Sequence, residues 1–84
     1  MIPHNPIRKK IDQLIERGTT KEKICVLAEV RYPTLQNIYH RNRVSRYLMV
    51  SLERAGIIDD MDVMEYKKWE RIYKKGKPND NKAA

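Results

Sequence analysis

Eighty-four residues make one small domain, whose core gives only marginal stability unless a second subunit adds to it. Apolar residues form 40% of the chain, enough for a compact fold, while a net charge of +7 and a pI near 9.7 call for a polyanionic partner, nucleic acid or an anionic membrane surface. Cys25 stands alone, which excludes a disulfide framework and a cysteine-based zinc site. No apolar run reaches the ~18 residues of a membrane span and no signal-peptide stretch is present, so a cytosolic protein is expected.

Residues 1–5 read as an extended arm. Asn5 as N-cap and Pro6 at the first helical position open a helix whose Ile7, Ile11, Leu14 and Ile15 form an amphipathic stripe. Gly18 ends it. A second helix starts at Thr20, or one residue earlier if Thr19 and Glu22 make a capping box, and Ile24, Leu27 and Ala28 are expected to face inward. Val30-Arg31 makes a turn. A third helix runs from about Tyr32 to His40, with Pro33 tolerated in its first turn and Leu35 and Ile38 inward. After Arg41-Asn42-Arg43, Ser45 caps a fourth helix with Leu48, Ser51, Leu52 and Ala55 as its inner stripe, closed by Gly56. Asp59 or Asp60 caps a fifth to about Lys75, with acids first and lysines last as the helix dipole favours, and Gly76 as the stop. Residues 77–84 read as a flexible tail. No period-two alternation suggests a sheet, so the fold class is all-α, a compact bundle of about five helices.

Between Glu29 and Glu53 the chain has no acidic side chain, yet places Arg31, Arg41, Arg43 and Arg46 there with Gln36, Asn37 and His40. A solvated helix face normally mixes both signs of charge. Arginine suits phosphates and guanine edges, and Asn and Gln suit adenine edges, so this window reads as a nucleic-acid surface. No carboxylate pair, nucleophile with base, glycine-rich phosphate loop or metal-ligand spacing occurs. Neither enzymatic activity nor a metal or cofactor is expected, and Cys25 reads as a small core residue.

Residues 21–40, KEKICVLAEVRYPTLQNIYH, have the pattern of two short helices crossing around a tight turn. Ile24, Ala28, Val30, Leu35 and Ile38 hold its apolar positions, and Cys25 stands where a very small side chain is needed. Over about residues 7–58 the chain resembles the lambda repressor and Cro-like (XRE-type) helix-turn-helix family. Residues 18–24 look like the entry into its second helix, 30–35 like its turn and the start of its recognition helix, and 43–57 like the helix that follows. The turn position commonly held by Gly is Glu29, and that commonly held by Ala is Cys25.

The resemblance implies that the third helix enters the DNA major groove while the second crosses the backbone. The family's base-contacting positions fall on Tyr32, Pro33 and Asn37. Since Pro33 has no donor, Arg31, Tyr32, Thr34, Gln36 and Asn37 are the expected base contacts. Lys21, His40, Arg41, Arg43 and Arg46 are the expected phosphate contacts. The organisation is then an arm (1–5), a helix-turn-helix core (6–58), a C-terminal helix (59–76) that extends the core or joins two subunits, and the tail. Tyr66, Trp69, Ile72 and Tyr73 are expected at a dimer interface, because one short recognition helix makes few base contacts.

The expected function is a sequence-specific regulator of transcription, a small phage-type repressor that binds an inverted-repeat operator of duplex DNA as a homodimer, in the cytoplasm of a bacterium or phage-infected cell. An antitoxin or restriction-modification controller of the same fold is the alternative within DNA binding. A protein-interaction module holding a toxin or another regulator on its C-terminal helix is the alternative outside it. Membrane association is disfavoured because Lys67, Lys68, Arg71, Lys74 and Lys75 are spread around that helix. RNA binding is disfavoured because only Tyr32, Tyr39 and Tyr47 supply aromatic rings near the arginines.

Overall fold

Asn5 sets how the chain begins. In the computed structural model, which describes residues 2–74, Asn5 is wholly buried and its Oδ1 accepts from the Arg8 N–H at 2.8 Å. This caps α1 (Pro6–Glu16), with Pro6 fixing the first turn as expected. Ile7 and Ile11 are fully buried, and Leu14 and Ile15 pack at the edge of the same core. Gly18, at a φ of 109°, takes the chain out of the helix in a conformation other residues avoid.

Thr20, not Thr19, caps α2 (Lys21–Ala28), its Oγ1 accepting from the Lys23 N–H at 3.1 Å. Ile24, Cys25 and Ala28 turn inward. The expectation that Leu27 is buried fails, because Leu27 is 54% exposed. The helix is rotated so that the small Cys25 shares the inner face with Ala28, and that rotation carries Leu27 outward. Glu29 then adopts φ 57°, ψ 46°, the left-handed conformation in which glycine is at ease. A non-glycine residue there costs about 1–2 kcal/mol.

α3 (Tyr32–His40) buries Leu35 and Ile38 completely. Asn42 follows in the left-handed region at φ 49°, which Asn tolerates better than most residues. Ser45 caps α4 (Arg46–Arg54), accepting from the Leu48 N–H at 3.2 Å, and Leu48, Met49, Ser51 and Leu52 face the core. Gly56, at φ 78°, closes the helix, and Ile57 and Ile58 are buried behind it. α5 (Asp60–Tyr73) begins with a reciprocal capping box, each of Asp59 and Asp62 accepting the other's backbone N–H at 3.0 Å. The expected end at Lys75 and Gly76 and the tail at 77–84 lie outside the described residues.

The five helices of the described residues close around one hydrophobic cluster, with α1 packed on α5 and α3, and α2 packed on α3 and α4. Each fully buried Ile or Leu contributes about 1.5–3 kcal/mol. α5 belongs to this cluster. Tyr66 is 2% and Trp69 6% exposed within the single chain, so these two residues are core and not the dimer interface expected for them. The Tyr66 hydroxyl also accepts the buried Val44 N–H at 2.9 Å, tying α5 to the start of α4. Tyr66 and Trp69 stack at 5.5 Å, and Trp69 and Tyr73 at 6.1 Å. Of the four residues assigned to an interface, only Ile72 (55%) and Tyr73 (44%) remain exposed. No helix of the described residues is long and apolar enough to cross a membrane.

Candidate nucleic-acid interface

Burial of Leu35 and Ile38 turns the opposite side of α3 to solvent. That side carries Pro33, Asn37, His40 and Arg41, with Arg31 and Tyr32 exposed at its start. Thr34 and Gln36 are only partly exposed, at the margins. No side chain caps the α3 N-terminus and no acid stands in its first turn, so its leading N–H groups and dipole favour an anion.

Gln36 is less free than its neighbours. Its Oε1 accepts from Lys21 Nζ at 3.1 Å, and that ammonium also lies 4.0 Å from the centre of the Tyr39 ring. Lys21 and Gln36, expected to meet a phosphate and a base separately, therefore hold each other in the free protein. That oxygen keeps a second lone pair, but Lys21 fixes the orientation of the Gln36 amide. The Arg8 guanidinium also lies near Tyr39, 4.6 Å from the ring centre. Its Nε is 3.7 Å from Asp12 Oδ2, too far for a hydrogen bond. The Tyr39 hydroxyl donates to Asp12 Oδ1 at 2.8 Å. Burial, and then this bond to a carboxylate, push the Tyr39 phenol well above its ordinary value, so it stays protonated as the donor. α1, α2 and α3 are locked together by one ring under two cations.

The second cluster forms where α3 hands over to α4. Asn37, Arg41, Arg43, Ser45 and Arg46 line a cleft of about 250 Å³. A neighbouring hollow of about 380 Å³ shares Arg43, Ser45 and Arg46 and adds Lys67 and Glu70 of α5. Three of the four arginines of the acid-free window thus converge at the N-terminus of α4, whose first turn has no acid. Guanidinium groups and the helix dipole favour an anion there, while the Ser45 hydroxyl already takes the Leu48 N–H. Arg31 stands apart at the other end of α3.

Sequence reasoning missed what holds this corner in place. Asn42 Oδ1 accepts from the Asn5 backbone N–H at 2.9 Å and from Asn5 Nδ2 at 3.0 Å, while Asn42 Nδ2 donates to the Pro3 carbonyl at 3.0 Å. Asn5 Nδ2 reaches the Ile38 carbonyl at 3.4 Å as well. The arm is thereby stitched to the turn between Arg41 and Arg43. The only sequence signal was an Asn in a turn, which marks a left-handed residue but not its partner. Cys25 is buried, and that burial, with Glu22 nearby, raises its thiol pKa, so it packs as a neutral side chain.

Fold and surface together define a small all-helical domain with an arginine corner, bordered by Glu70 of α5, beside an exposed helix face. Comparison of the chain with protein-family profiles, with curated proteins and with solved structures finds no match.

Proposed function

We propose that this chain is a sequence-specific duplex-DNA-binding regulator of transcription, acting as a repressor on an inverted-repeat operator. The observation that carries the reading is the convergence of Arg41, Arg43 and Arg46 on one cleft beside Asn37 of α3. In this reading the three arginines hold backbone phosphates and fix the register of the protein on the duplex. α3 lies in the major groove, with Asn37 reading an adenine edge and Arg31, Tyr32 and Thr34 at neighbouring bases. Lys21 turns from Gln36 to a phosphate on contact, which frees the Gln36 amide for a base. A homodimer presents two such helices ~34 Å apart and blocks the polymerase. Its contact includes Ile72 and Tyr73 and leaves Tyr66 and Trp69 to the core.

An antitoxin or restriction-modification controller would use the same contacts and differs in its gene context. A protein-interaction module on α5 would have Met61, Met64, Ile72 and Tyr73 to offer, whereas the aromatic Tyr66 and Trp69 of that helix are already buried in this chain.

The test is selection of bound sequences from random duplex DNA, followed by titration at several salt concentrations. Asn37→Ala should weaken binding to the selected site by ~1–3 kcal/mol and leave random duplex nearly unaffected. Arg46→Gln should weaken both by a similar factor and lower the slope of log affinity against log salt by about one. Failure to enrich any sequence, or equal losses for Asn37→Ala on selected and random duplex, overturns the base-reading role.

A further inference from the structure

The arm and α5 border a further cleft, of about 250 Å³, away from α3 and the arginine corner; of its residues only Ile72 and Tyr73 enter the proposed subunit contact. Pro3 and His4 of the arm form one wall, held in place through the bond from Asn42 to the Pro3 carbonyl. Ile72 and Tyr73 form another. Trp69 is the one buried residue among the lining side chains. Lys9 from α1 and Lys68 from α5 stand at the same cleft with Glu65. The ion pairs of the described residues join Arg8 to Asp12 and Lys10 to Asp62, so neither Lys9 nor Lys68 is committed to a carboxylate.

These features specify a ligand. Apolar and aromatic walls ask for a hydrophobic body, and two uncommitted ammonium groups against one carboxylate ask for a single negative charge. An apolar cavity of about 150 Å³ takes benzene, so this volume suits one ring with a short polar arm. We propose that the cleft between the arm and α5 binds a small aromatic carboxylate. Its charge lies between Lys9 and Lys68, and its ring lies against Trp69 and Tyr73. A phosphate group would satisfy the lysines but leave the apolar walls uncovered.

The chain has one tryptophan, so the 15N-labelled protein gives one indole N–H resonance to follow. Titration uses phenylacetate, and phenylacetamide as its neutral counterpart, without DNA, so the outcome is independent of the nucleic-acid reading. Phenylacetate should move the indole resonance saturably. Phenylacetamide should bind more weakly by about tenfold, the loss of one charge-assisted hydrogen bond. Lys9→Gln combined with Lys68→Gln replaces two exposed side chains. It should leave the backbone spectrum in place, weaken phenylacetate by at least about tenfold and bring it level with the amide. No saturable movement with phenylacetate overturns the proposal. So does equal affinity for acid and amide in the parent, or unchanged phenylacetate affinity in the double variant.

Discussion

Two regions of this molecule are basic, and only one of them is organised around its charge. From Arg31 to Arg46 the cations are all arginines, no acid lies among them in sequence, and three meet at one cleft lined by no aromatic ring. In α5, Lys67, Lys68 and Arg71 alternate with Glu65 and Glu70 around a helix whose function in the fold is to bury Tyr66 and Trp69. Counted over residues 66–77 the two stretches look alike, yet α5 itself carries four acids against three bases. What separates them is where the apolar residues go: α5 spends its aromatic face on the core and leaves its charges dispersed, whereas α3 buries two aliphatic residues and leaves a whole polar side to solvent.

The largest test of this contrast is Trp69→Ala set against Arg43→Gln. The first removes a buried aromatic ring and should cost about 3–5 kcal/mol in denaturant unfolding. The second should change stability by no more than about 0.5 kcal/mol while weakening duplex binding. A Trp69→Ala protein that keeps the parent's stability but changes its sedimentation would return Trp69 to an interface between subunits.

Smaller effects should come from the joint between the two regions. Asn42→Ala loses three hydrogen bonds and a side chain suited to a left-handed backbone, and is expected to cost about 2–3 kcal/mol. Asn42→Gly keeps the backbone at ease, so its cost, about 1–2 kcal/mol, isolates the bonds. Equal melting temperatures for both variants and the parent would mean that the arm is not held by Asn42. Glu29→Gly should act in the opposite direction. It relieves the left-handed glutamate against a larger loss of chain entropy, for a net gain of about 0.5–1 kcal/mol in thermal unfolding.

Acid gives the mildest distinction. Asp59 is held below its ordinary value of 3.8 chiefly by the Asp62 backbone N–H. Because the folded value is the lower one, its stabilisation is complete above 3.8 and is lost as the pH falls through the depressed folded value. The start of α5 should therefore loosen in strong acid, and the melting temperature of Asp59→Asn should fall less on acidification than that of the parent. An identical acid response in both proteins would assign the loosening to other carboxylates.

Much of the fold was legible in the residues because its signals are local. Asn5, Thr20, Ser45 and Asp59 each cap the helix they precede, and the stripes of Ile7–Ile11, Leu35–Ile38 and Leu48–Leu52 follow from helical geometry within a few turns. The arginine window was legible too, as a gap in the acids. Tertiary structure alone decided the rest. It turned Leu27 outward, sent Tyr66 and Trp69 into the core of their own chain, set Lys21 on Gln36 and Tyr39, and joined Asn5 to Asn42 across 37 positions of sequence. A helix's period shows that it has an apolar face, but which surface covers that face depends on neighbours far along the chain, and no local pattern encodes them.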